Sequence, residues 1–209
     1  MVDTSDYVSF ILSIPGLSGF SALSIFLLSL IRLAPIVALA PFLGAKLPGP
    51  VKIGILLGLT AILLPHIILT AKPPYPVFDT SFIFYALKEF FVGLILAFLI
   101  SIPFHAVQSS GVLIDFLRGS SSLMVTDPVM QSQVSPIGLL YHYIFILIFY
   151  QLQGPFIFFE GILTSYNIVP VDAWIPAFFF NLSHPLWQFL VSLLTKFCLL
   201  FIQLASPSI

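Results

Sequence analysis

Long apolar runs separated by short polar connections constrain this chain more than any other feature. Residues 20–43, 51–69, 82–107, 137–159 and 185–204 are each mostly apolar. Each is about twenty residues long, the length of helix that crosses a bilayer core. In lipid a backbone must satisfy its own N–H and C=O groups, so runs of this kind are read as helices. Composition closes the soluble alternative. Of 209 residues, 59% are hydrophobic and 7% charged, whereas soluble domains carry about 25% charged residues. Seven basic and eight acidic side chains cannot keep such a surface in water. The expected fold class is an all-α integral membrane protein. About five hydrophobic helical segments, several kinked or broken, form helical hairpins in a larger helical assembly with lipid around it. One membrane-embedded domain is expected over 1–209.

The formal charge of −1 comes without a basic patch, which argues against nucleic acid as a partner. Cys198 is the single cysteine, so no internal disulfide forms, and in an apolar run it reads as a packing residue. Asp3 and Asp6 precede any basic residue, unlike the positive start of a cleaved signal peptide.

Seventeen prolines are present, and Pro35, Pro41, Pro65 and Pro103 fall inside apolar runs. Each removes a backbone donor, so kinks or breaks are expected there. Gly54 and Gly58 form a GxxxG spacing that lets another backbone approach. Glu89, Gly93, Ala97, Ser101 and His105 recur every four residues along one slowly drifting helix face, which reads as a protein contact. Lys88 and Glu89 are adjacent and point about 100° apart, so a pairing between them is not assumed. Arg32 stands in mid-run, where an ionisable group is a functional candidate. It has three readings: pairing with a carboxylate, binding carbonyls freed by Pro35, or snorkelling to the interface.

The stretch from His105 to Pro136 is too polar for lipid and too apolar for a disordered linker. Gly111 and Gly119 flank VLIDFLR, a Gly-Ser-Ser-Ser run follows, and Asp127-Pro128 marks a turn or a helix start. Two readings stand: a re-entrant connection between helices, or a constriction within a channel. No HExxH, P-loop or dinucleotide fingerprint occurs, and Gly16-Leu17-Ser18-Gly19 is a poor match to a nucleophile elbow. No catalytic, cofactor-binding or metal-binding residue is assigned, and no cofactor is expected.

Several of these residues together resemble one family. Arg32-Leu-Ala-Pro35 through Pro41-Phe-Leu-Gly44, then Leu47-Pro48-Gly-Pro-Val51-Lys52-Ile-Gly54, is similar to the first helix pair of the FliR/SctT export-gate proteins. Lys88-Glu89-Phe-Phe-Val-Gly93 resembles the family's Glu with Gly four residues on. Gly111-Val-Leu-Ile-Asp115 and Gly119-Ser120, leading to Asp127-Pro128, resemble its central segment. Gly154 and Ser165-Tyr166 to Pro170 fit the connection before the last helix, although Pro155 stands where the family commonly has His. The matches are collinear over most of the chain.

The resemblance implies a noncatalytic subunit of a type III secretion export gate in the bacterial inner membrane, flagellar or virulence. Its implied partners are FliP/SctR-like and FliQ/SctS-like subunits and a FlhB/SctU-like switch protein, with unfolded secreted proteins as substrates. A plug-like loop is implied for 107–126, with Gly111, Asp115, Phe116, Gly119, Ser120, Ser121, Ser122 and Met124 as gate candidates. Arg32, Gly54, Gly58, Glu89, Gly93 and Ala97 are candidates for helix packing and assembly. Pro48, Asp127, Pro128 and Gly154 are turn candidates. Family members continue past the fifth segment, so further C-terminal residues are expected. The alternative is a stand-alone secondary transporter or small channel, for which inverted repeats and a midplane polar site would be the signature.

Overall fold

A computed structural model describes residues 17–43, 47–118, 125–126 and 133–174, with isolated helical positions at 191–192, 195, 199 and 203. The element order is α1 (Gly19–Leu39), a 3-10 turn (Pro41–Leu43), α2 (Gly49–Thr70), α3 (Thr80–Leu117), β1 (Val125–Thr126), β2 (Gln133–Val134), α4 (Pro136–Gln151) and α5 (Gly154–Ile168). The all-α membrane class holds: among the described residues, three helices are long and apolar enough to cross a membrane. A fourth span is reached when the bent pair α4 and α5 counts as one. The strands are a two-residue antiparallel ladder, Val125 opposite Val134 and Thr126 opposite Gln133.

Three of the four prolines expected to kink or break helices do not break them. Pro35, Pro65 and Pro103 lie inside continuous helices, and only Pro41 starts a new element. Pro48 is the N-cap of α2, with Pro50 in the first turn, where a missing N–H leaves no bond unmade.

Two segment boundaries change. The third segment runs on to Leu117 as one helix of 38 residues, so Gly111 does not break it. The fourth is not one rod. Gln153 takes a left-handed φ of 56°, and the helices on either side of this break are bent by 72°. The helix resumes at Gly154 and continues to Ile168, so most of the connection expected after residue 159 is helical. The fifth segment, 185–204, lies outside the described residues apart from the isolated positions above.

The chain divides into two compact units: Met1–Leu39, Leu47–Ala97 and Phe158–Ala177 in one, Ala40–Lys46, Phe98–Ile157 and Phe178–Ile209 in the other. The first is built on α1 against α2, with the first half of α3 and most of α5. Ile25, Leu28, Leu33 and Ile36 of α1 meet Leu63, Leu64, Ile67 and Ile68 of α2, and Ala97, Ile162, Tyr166 and Val171 complete the core. In the second unit Phe104 is buried among Phe42, Phe145 and Phe149, with ring centroids 6.3, 4.9 and 5.3 Å away. Tyr150 donates to the Phe42 carbonyl at 2.9 Å.

Candidate functional site

The first unit holds a buried ion cluster. Helix α1 supplies Arg32, α3 supplies Lys88 and Glu89, and α5 with the turn after it supplies the acceptors. Arg32, Lys88 and Glu89 are all buried. The Arg32 guanidinium grips Glu89 with two parallel bonds, Nε to Oε2 and Nη2 to Oε1 at 2.9 Å. This fork geometry is what arginine offers a carboxylate and lysine does not. Nη2 also donates to the Val169 carbonyl at 2.7 Å and Nη1 to Ser165 Oγ at 3.3 Å. The guanidinium carbon lies 4.0 Å from the Tyr166 ring centroid, a cation–π contact. Of the three sequence readings of Arg32, the carboxylate pairing is the one realised.

Lys88 pairs with its neighbour, a contact that helical spacing alone left open: Nζ is 2.8 Å from Glu89 Oε1. Its long stem bends back, because the same ammonium also reaches the carbonyls of Pro170 at 2.7 Å, Ala173 at 2.8 Å and Val171 at 3.3 Å. These carbonyls follow the C-terminus of α5, where helix carbonyls lack partners and cations are favoured. Two cations therefore tie one carboxylate and one irregular turn into a single buried network. In apolar surroundings such a network lasts only if each member is satisfied.

Glycine makes this approach possible. Gly93 lies one turn past Glu89, and a Cβ built there would collide with the backbone carbonyl of Arg32. The four-residue face behaves as its spacing predicts through Glu89, Gly93, Ala97 and Ser101, all buried, while His105 is exposed. Each step of four drifts by about 40°, so by His105 the face has turned away.

The second unit joins the end of α3 to the start of α4. Gly111 packs against Gly138. Asp115 Oδ2 accepts from Ile137 N at 3.0 Å and from Ser135 Oγ, and Ser135 caps α4 by accepting from Gly138 N at 2.9 Å. Gly154 opens α5 against the Phe149 ring, where a side chain would overlap.

Other sequence candidates are not drawn in. Gly54 and Gly58 are exposed, and a Cβ on either meets nothing within 4 Å, so among the described residues no backbone uses their spacing. Phe116 is 71% exposed. Gly119, Ser120, Ser121, Ser122, Met124, Asp127 and Pro128 lie outside the described residues. Sequence reasoning did not assign Lys88, Ser135 or Gly138 to a site. A Ser before Pro at a helix start was a readable capping signal for Ser135. Nothing local marked Gly138. Among the described residues no group of three or more His, Cys, Asp or Glu is placed to hold a metal ion.

A helical integral membrane protein whose buried charges are satisfied by its own helices is the class that this geometry defines. The family model for bacterial export proteins, family 1, matches residues 23–209, and the chain belongs to that family. It is 32% identical over 152 residues to the Yop proteins translocation protein T of Yersinia pestis, covering 68% of this chain and 57% of the relative. To the surface presentation of antigens protein SpaR of Shigella flexneri it is 29% identical over 160 residues, covering 74% and 61%. To the flagellar biosynthetic protein FliR of Escherichia coli it is 22% identical over 152 residues, covering 72% and 57%. The chain thus spans about three fifths of the length of these relatives. The FliR/SctT resemblance read from Arg32 to Pro170 is borne out.

Proposed function

We propose that this chain is a noncatalytic subunit of a type III protein secretion export gate in the bacterial inner membrane. With FliP/SctR-like and FliQ/SctS-like subunits, and a FlhB/SctU-like switch protein, it forms the pore that unfolded substrates cross. The observation that carries the reading is the family membership, joined to the exposed face of α2. There Gly54 and Gly58 lie open between Ile53, Leu57 and Ile62, which are exposed as well, in a form suited to a second helix. The stretch 107–126 contributes to the closed seal, with its first part, through Leu117, built as the last turns of α3.

Gentle detergent extraction tests this. Two small hydrophobic proteins in excess over the chain are expected to co-purify; a monomer or pure homo-oligomer would instead support a stand-alone transporter. Shortening the chain between residues 118 and 125 is expected to make membranes with the assembled gate leak small solutes. Unchanged permeability sinks the seal.

A further inference from the structure

The end of α3 and the start of α4 meet through two contacts of different kinds. The first is backbone on backbone. A Cβ on Gly111 would lie 2.6 Å from Gly138 Cα and 2.7 Å from its nitrogen. A Cβ on Gly138 would lie 2.9 Å from Val112 Cγ2 and 3.1 Å from the Gln108 carbonyl. Neither glycine has a side chain that can compress or change rotamer, so the contact has one distance and little play.

The second contact is made by hydrogen bonds to a carboxyl group and lies one helical turn further along α3. Asp115 brings its carboxylate to the N-terminus of α4, accepting from Ile137 N at 3.0 Å and from the Ser135 hydroxyl. The same hydroxyl accepts from Gly138 N at 2.9 Å. Free backbone N–H groups and the positive end of the helix both favour an anion there. Hydrogen bonds to an ionised acceptor are roughly twice as strong as neutral ones. Two successive turns of α3 are thus fastened to the first turn of α4.

We propose that this joint stays closed throughout transport, with Asp115 and Ser135 as positioning residues that hold α3 and α4 in register. The inference rests on the export-gate reading and narrows it. Gly111 and Asp115 belong to a fixed framework, and whatever moves in the gate moves without them.

The test is a redox staple in the assembled complex. Asp115→Cys with Ser135→Cys, in a Cys198→Ser background, replaces the hydrogen-bonded pair by a bond that can be closed or opened after assembly. Bridging needs Cβ atoms about 3.5–4.5 Å apart. In membrane vesicles carrying the gate, the oxidised form is expected to export substrate and retain a trapped small solute at the parental level. The reduced form, with the clasp missing, is expected to leak faster by roughly tenfold, the equivalent of one hydrogen bond to a charged group. Complete assembly precedes both measurements, so a purely folding role would not separate them.

Loss of export on oxidation, restored by reductant, would show that the joint must open and overturns the proposal. Equal leak in both redox states shows that the pair positions nothing and overturns the proposal. If the double variant does not assemble or does not bridge, Asp115→Ala, which removes the acceptor, replaces it: normal assembly with increased leak supports positioning, and unchanged leak overturns it. Failure of the underlying reading is separate, since vesicles without this chain would then export as well as those with it.

Discussion

Arg32 and Glu89 stand 57 residues apart in the chain and form a forked ion pair in which neither side chain is exposed. Removing one partner from a buried pair leaves a charge with neither water nor counterion, at a cost of about 3–5 kcal/mol. Glu89→Met, which leaves both Arg32 and Lys88 without a carboxylate, is therefore expected to lower the thermal midpoint of the detergent-solubilised protein sharply, and Arg32→Met, which leaves Glu89 paired with Lys88, to lower it less. Adding Arg32→Met to Glu89→Met removes one of the two cations left without a carboxylate, so the double variant should recover part of the Glu89→Met loss. Additive losses would show that the pair is not coupled.

Gly93 and Gly54 make a matched comparison. Gly93→Ala places a methyl on the Arg32 carbonyl, and forced overpacking costs about 1–3 kcal/mol. Gly93→Leu should abolish complex formation. Gly54→Leu has open space before it and should leave the stability of the isolated chain near the parental value. Under the export-gate reading it should still reduce partner recovery. Parental stability for Gly93→Ala would count against close helix packing there, and unchanged recovery with Gly54→Leu would remove α2 as a partner face.

Lys88→Met removes the ammonium that gathers the carbonyls of Pro170, Val171 and Ala173. Hydrogen bonds to a charged group are worth about 1.5–3 kcal/mol, so faster proteolysis around residues 169–174 is expected. A digestion pattern like that of the parent would show that the turn is held by its apolar contacts alone.

Gln153 is exposed and takes a left-handed φ of 56°, a conformation that costs an L-residue about 1–2 kcal/mol. Gln153→Gly should raise the thermal midpoint slightly, and Gln153→Val should lower it more. The reverse order would mean that the break between α4 and α5 is absent in the folded protein.

The sequence disclosed the helices wherever their causes were local. The apolar run of α2 with Pro48 and Pro50 at its start, and the buried face from Glu89 to Ser101, follow from nearest neighbours and helical spacing. Gly111 misled because its helix-breaking tendency, about 1 kcal/mol relative to Ala, is outweighed by a contact with Gly138, which lies on the next helix. The break at Gln153 had a local signal, since Gly154-Pro155 directly after it is a breaker dipeptide, but the length of the apolar run on either side led to one segment over 137–159. The pairing of Lys88 with Glu89 was missed because angular spacing describes Cβ directions, whereas a lysine stem can fold back toward a shared target.

Arg32 also has an awkward history during synthesis. Its carboxylate is made 57 residues after it, and its carbonyl partner at Val169 follows 137 residues after it. At roughly 5–20 residues per second, the guanidinium waits for seconds before Glu89 leaves the ribosome, and longer before Val169 does. A lone arginine at the centre of a membrane helix costs at least about 2.5–3.5 kcal/mol. Helix α1 therefore enters the bilayer as a poor insertion substrate. Its charge is neutralised only once Glu89 and the turn after α5 have been made.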